Sequence, residues 1–170
     1  MKVNLEGKVA LVTGAARGIG QAIADALSAN GARTIYSDID FETASQSAAK
    51  APGASALRMD IANEQEVNEA IAAILSQYGR LDILVNNAGV NTLDHRVSID
   101  QFPTHEWERI LRVDLTGLFY VSRAGSKPML AQKSGRIINI ASAFGLVPAR
   151  LQSPFVAAKA AVVKSKGKKG

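Results

Sequence analysis

The chain has 170 residues, 47% of them apolar, a formal net charge of +5 and no cysteine. That length suits one domain and that apolar share can fill a core, while the missing cysteines exclude disulfides, thiolate catalysis and cysteine-ligated zinc. Lys164, Lys166, Lys168 and Lys169 carry most of the charge, and without them the balance falls to about +1, ordinary for a soluble domain. His95 and His105 have no metal-site spacing, so no metal is expected. No apolar run approaches the ~20 residues that span a membrane, and no secretory signal opens the chain. A cytoplasmic protein with neither nucleic acid nor membrane as partner is the expectation.

Lys8 to Thr13 is a short apolar run that predicts a buried strand. Ile19, Ala22, Ile23, Ala26 and Leu27 then fall at helical spacing, and Gly31 closes that helix. A second strand is expected over Arg33 to Ser37, and a weak helix from Phe41 to Lys50 that Pro52-Gly53 stops. Ser55 to Met59 is a third strand. Asn63 caps a helix ending near Gly79, with Val67, Ala70, Ile71 and Ile74 as its core face. Asp82 to Val85 is a fourth strand, followed by a loop rich in Asn and Gly. A long helix runs from His105 to Gln132, with Pro128 expected to bend or restart it. Arg136 to Ala141 is a fifth strand, and the last helix starts near Phe155. Strands alternating with helices predict a parallel α/β sheet with helices on both faces.

The first strand runs directly into Thr13-Gly14-Ala15-Ala16-Arg17-Gly18-Ile19-Gly20. Gly14 permits a tight turn, Gly18 lets backbone approach a pyrophosphate, and Gly20 lets the helix pack against the sheet. The helix N-terminus then offers free N–H groups to the phosphates. A glycine cluster between a predicted strand and a predicted helix is the context of a dinucleotide cradle. Asp38 ends the second strand, where a carboxylate can accept bonds from adenosine ribose hydroxyls and would repel a 2′-phosphate. NAD is therefore favoured over NADP, although Arg17 softens the repulsion. Ile39 joins Asp38 among the cofactor-binding candidates.

These motifs resemble the short-chain dehydrogenase/reductase family. Thr13-Gly14-x-x-x-Gly18-Ile19-Gly20 is similar to its glycine signature, Asp60-Ile61 to its adenine-contacting pair, and Asn86-Asn87-Ala88-Gly89 to its N-N-A-G motif. Arg136 to Ser142 is similar to the strand that delivers its catalytic serine. The resemblance covers residues 5 to about 163. It implies a doubly wound Rossmann-type domain over residues 1–163, followed by a basic, disordered tail over 164–170. It also implies hydride transfer between nicotinamide and an alcohol or carbonyl (a polyol, sugar or other secondary alcohol), and a homo-oligomer. In the family a tyrosine is the general acid/base, a lysine four residues later lowers its pKa and holds the nicotinamide ribose, and a serine orients the substrate oxygen.

Ser142 fits the serine and Lys159 the lysine, but the tyrosine position is Phe155, which has no proton to give. Losing a positioned acid/base costs ~10²–10⁴ in rate. Tyr36, Tyr78 and Tyr120 lie in segments that should not face the nicotinamide, while His95 sits in a loop that could border the substrate. The family's asparagine position is Asp114, which could serve a relay through its backbone carbonyl or be a charge satisfied within a helix bend. The family's chain continues past Lys159, whereas here the helix gives way to Lys164-Ser165-Lys166-Gly167-Lys168-Lys169-Gly170. About five strands are thus expected, with the C-terminal strands missing and Ile137 to Ile140 as an open edge. The readings are an NAD-dependent oxidoreductase of impaired activity, a catalytically silent NAD-binding protein, or a fragment without function.

Overall fold

The computed structural model describes residues 3–92 and 96–165. His95, Lys166, Lys168 and Lys169, among the residues considered above, lie outside the described residues. Five strands form one parallel sheet in the order β3-β2-β1-β4-β5. They are β1 (Val9–Thr13), β2 (Arg33–Asp38), β3 (Ser55–Arg58), β4 (Ile83–Asn86) and β5 (Arg136–Asn139). Crossover helices α1 (Gly18–Ala29), α2 (Phe41–Ala48) and α3 (Glu64–Tyr78) join the first four strands. Helices α4 (Thr104–Leu111) and α5 (Leu118–Ala131) lead into β5, and α6 (Ser153–Lys164) follows it.

The chain steps outward from β1 through β2 to β3, then returns to the other side of β1 for β4. The carboxyl ends of β1 and β4 therefore diverge into loops on one edge, and a crevice opens there, as in other doubly wound sheets. Leu11 is paired with Ile35 on one side and Leu84 on the other. All five residues of β1 are buried, because helices cover both of its faces. On one face Val9, Leu11, Ile35, Val67, Ile71, Ile74, Leu84 and Val121 form a core with α3 and α5. On the other, Val12, Tyr36 and Val85 meet Ala24 of α1 and Ala44 of α2. The alanines on these two helices keep their axes close to the sheet, which is how an alanine-rich chain with few aromatics fills its interior.

Asp82 pins the base of the sheet. Its carboxylate accepts the N–H of Val9 at 3.0 Å and two bonds from Arg80 at 2.7 and 2.6 Å, with Lys8 at 3.6 Å. Burial would push its pKa up, but these donors and cations outweigh it and hold the carboxyl below its ordinary value.

One expectation needs correction. Pro128 does not restart the long helix: it lies within α5, where Val121, Ala124, Gly125 and Met129 are buried along the same helix. The change of winding falls instead at Arg112–Gly117, a π-helical segment between α4 and α5 with Asp114 buried inside it. Such π segments are frequent at functional sites. As expected, α6 begins near Phe155, at Ser153, with Pro154 in its first turn, where a missing N–H is harmless. In β5, Ile137 and Ile138 are 38% and 46% exposed. Among the described residues, no helix is long and apolar enough to cross a membrane.

Candidate functional site

The crevice is a cleft of about 400 Å³ lined by Gly14, Arg17, Asp38, Ile39, Met59 and Asp60, then by Ile61, Asn87, Ala88, Gly89, Val90 and Val113. It brings together most of the cofactor residues expected from sequence. Met59, Val90 and Val113 are additions. They are ordinary apolar side chains, and no local pattern marks them as lining.

The turn after β1 needs its glycines for different reasons. Gly14 and Gly18 have φ of +65° and +62°, which side chains disfavour. A Cβ on Gly18 would meet nothing within 4 Å, so its backbone faces open space. A Cβ on Gly20 would collide with the carbonyl of Gly14 and the side-chain amide of Asn87. Ile19, between them, is 67% exposed. Helix α1 begins here with no side-chain cap and no acidic residue in its first turn. By contrast, Asn63 caps α3, which carries Glu64 and Glu66 in its first turn. The uncapped N–H groups of α1, the open Gly18 and the exposed Arg17 form a cradle with the right polarity for phosphate.

The N-N-A-G segment braces that cradle. Asn87 Nδ2 donates to the carbonyls of Thr13 and Gly14 at 2.9 and 3.1 Å. Thr13 Oγ1 accepts the N–H groups of Asn87 and Ala88 at 3.0 and 3.1 Å. Asn86 points the other way, donating to Ser122 Oγ and Asn139 Oδ1 at 2.9 and 2.8 Å, and so ties β4 to α5 and β5.

At one end of the cleft, Asp38 accepts the N–H of Ala16 on one carboxylate oxygen and that of Asp40 on the other, both at 3.0 Å. These bonds fix the carboxylate's orientation and leave each oxygen a further lone pair. Asp60 Oδ1 accepts the N–H of Ala62 at 2.9 Å, and Ile61 beside it is buried.

Behind Gly89 stand Asp114 and Lys159, both buried, with Lys159 Nζ 3.2 Å from Asp114 Oδ2. Asp114 Oδ1 accepts the N–H of Val90 at 2.7 Å. Burial raises the Asp114 pKa above its ordinary value, although the Lys159 charge and the Val90 bond oppose it. A Cβ on Gly89, which lines the cleft, would lie 3.2 Å from both Lys159 Nζ and Asp114 Oδ2, so the ion pair packs directly against the bare backbone of that glycine. The spacing of Gly89, Asp114 and Lys159 in sequence gives no hint of this pairing; only the opposite charges could have suggested it.

Phe155 lies one helical turn before Lys159, whose Nζ is 5.5 Å from its ring centre. The same ring meets Phe144 edge-on at 6.5 Å. Ser142 follows the end of β5 and its Oγ accepts the N–H of Phe144 at 3.2 Å, capping the short 3₁₀ turn Ala143–Gly145. The three tyrosines are engaged elsewhere. Tyr36 donates to Asp25 at 2.6 Å, and burial with that carboxylate pushes its phenol far above the ordinary range. Tyr78 pairs with Ser55 at 3.2 Å, and the Tyr120 ring lies tilted beside that of Phe119, 5.9 Å between centres.

A parallel, doubly wound sheet with a glycine cradle at its topological switch point defines a Rossmann-type nucleotide-binding domain. Residues 8–165 match the short chain dehydrogenase family. The chain belongs to that family, whose members are oxidoreductases that use a nicotinamide dinucleotide. It is 40% identical over 166 residues to a 3-oxoacyl-[acyl-carrier-protein] reductase of Synechocystis sp., covering 94% of this chain and 65% of that protein. It is 36% identical to a galactitol 2-dehydrogenase of Agrobacterium fabrum, covering 96% and 63%. A crystal structure of a ribose-5-phosphate isomerase from Brucella melitensis superposes with a TM-score of 0.91 at 34% identity, covering 96% of this chain and 62% of that one. The chain thus spans less than two thirds of the length of these relatives, and their names point to no single substrate.

Proposed function

We propose that the cleft binds NAD(H) along its length and that the chain is the cofactor-binding part of an alcohol/carbonyl oxidoreductase. The cradle at Gly14, Arg17, Gly18, Ile19 and Gly20 would hold the pyrophosphate. Asp38 would take the adenosine ribose, with Ile39, Asp60 and Ile61 around the adenine. Asn87, Ala88 and Gly89 would line the middle, and Lys159 would take the nicotinamide ribose. The bound group supplies a hydride at its nicotinamide ring, and the protein's part is to bind, orient and move a proton.

The observation that carries this reading is Asp38. It stands beside the phosphate cradle in an orientation fixed by two backbone N–H groups, with lone pairs to spare. A carboxylate so placed favours a ribose 2′-hydroxyl over a 2′-phosphate, hence NAD over NADP. Parallel titrations with NADH and NADPH test it.

A second reading, that the chain binds cofactor without efficient turnover, is favoured by Phe155. Its ring stands beside the Lys159 ammonium but offers no hydroxyl to hold a substrate oxygen or exchange its proton. On this reading Ser142 can still orient a substrate oxygen, and the hydride step lacks its acid/base partner. Turnover near background on a panel of polyols, sugars and ketones, alongside saturable NADH binding, is the expected result. Robust turnover dismisses it.

A further inference from the structure

The oxidised and reduced nicotinamide rings differ by one positive charge, so a cleft's local charge decides which form it holds more tightly. At the Gly89 side of the cleft, the described residues include two ion pairs. Lys159 is paired with Asp114, and Arg109, which also faces Asp114 electrostatically, is engaged by both oxygens of Glu106 at 2.7 and 2.8 Å. Arg109 further donates to the carbonyl of Asn91 at 3.2 Å, on the loop that follows Val90.

We infer that Asp114 levels the cleft's affinity for the two redox forms: by neutralising Lys159 it removes the repulsion that a lone buried ammonium would exert on a cationic nicotinamide ring. The inference rests on the NAD(H) reading above, with the nicotinamide at the Lys159 end. Three observations carry it. The Asp114–Lys159 pair is buried, so its field is weakly screened. The pair packs within 3.2 Å of the position a Cβ would take on Gly89, a residue that lines the cleft. Asp114 is also held in place by Val90, so its charge stays where Lys159 needs it.

The test is binding, independent of turnover. Dissociation constants for NADH, by fluorescence, and for NAD⁺, by competition against NADH, are measured at pH 6.5 for the wild type, Asp114→Asn and Asp114→Ala. Removing the carboxylate leaves Lys159 uncompensated, so the Kd ratio of NAD⁺ to NADH rises roughly tenfold in both variants. A double variant, Asp114→Asn with Lys159→Met, brings the ratio back toward the wild-type value. If the two forms lose affinity by the same factor, or if the ratio stays put in variants that still bind NADH, Asp114 acts only structurally and the inference is overturned. Failure of the wild type to bind either form overturns this inference together with the reading it rests on.

Discussion

The ammonium of Lys159 sits between a carboxylate and a bare aromatic ring: Asp114 Oδ2 is 3.2 Å away and the centre of the Phe155 ring 5.5 Å. Lysine and ring are one helical turn apart, and on the proposed reading the arrangement lacks only a hydroxyl oxygen on that ring. Phe155→Tyr adds that oxygen on a half-buried ring with no change of backbone. NADH-linked turnover of secondary alcohols or ketones should rise by ~10²–10⁴ in this variant. An unchanged rate, followed at 340 nm, would mean that another group transfers the proton.

Glycines 18 and 20 should respond oppositely to the same small change. Gly18→Ala meets no atoms, so stability falls by only about 1 kcal/mol, from the positive φ, while the added methyl occupies the phosphate approach and NADH affinity drops at least tenfold. Gly20→Ala forces its methyl into the Gly14 carbonyl and the Asn87 amide, so the fold itself suffers, by about 3 kcal/mol. Urea denaturation together with NADH titration separates the two effects.

Asn87 links β4 to the glycine turn through two side-chain bonds. Asn87→Ala leaves the carbonyls of Thr13 and Gly14 short of a donor and should destabilise the chain by about 2 kcal/mol. Because the cradle loosens, NADH affinity should fall as well. A variant that lost stability but bound NADH as tightly as wild type would show that the cradle keeps its shape without this brace.

Acid stability should depend on Asp82. Its folded-state pKa is depressed, so the stabilisation it gives is present above the ordinary carboxylate pKa and is lost as pH falls through the lower, folded value. Asp114 works in the opposite sense: its pKa is raised, so its ionisation opposes folding above the folded value and that burden lifts as pH falls. Asp82→Asn should therefore lower stability at pH 7 by about 2 kcal/mol and flatten the acid limb of the stability curve below pH 4. An acid limb unchanged in the variant would mean that Asp82 does not contribute to it.

Ile137 and Ile138 of β5 are exposed in this 170-residue chain, and self-association through that strand is the expected consequence. Sedimentation should show concentration-dependent association, and Ile138→Lys should reduce it. A monodisperse wild-type monomer at all concentrations would count against this.

The sheet could be read almost whole from sequence. The apolar runs of β1 and β4 and the helical spacing of Ile19 to Leu27 are local signals, and the glycine turn has few physical alternatives. Helix winding was less legible. Pro128 is the local breaker, yet it sits in α5 without breaking it, and the irregularity falls at Arg112–Gly117, where the Asp114 carboxylate meets a lysine 45 residues further along. No local propensity reports a partner that distant. Asp38, Asn87 and Lys159 could be named from motifs. Their bonding, with Ala16, the Gly14 carbonyl and Asp114, comes only from the way the sheet brings β1, β2, β4 and α6 together.

The most direct test of the account is a fluorescence titration of the 170-residue chain with NADH, with NADPH in parallel. Saturable NADH binding at least tenfold tighter than NADPH is the expected result, with the preference lost in Asp38→Asn. No binding of either dinucleotide, or tighter binding of NADPH, would contradict the proposal that this cleft is an NAD(H) site selected by Asp38.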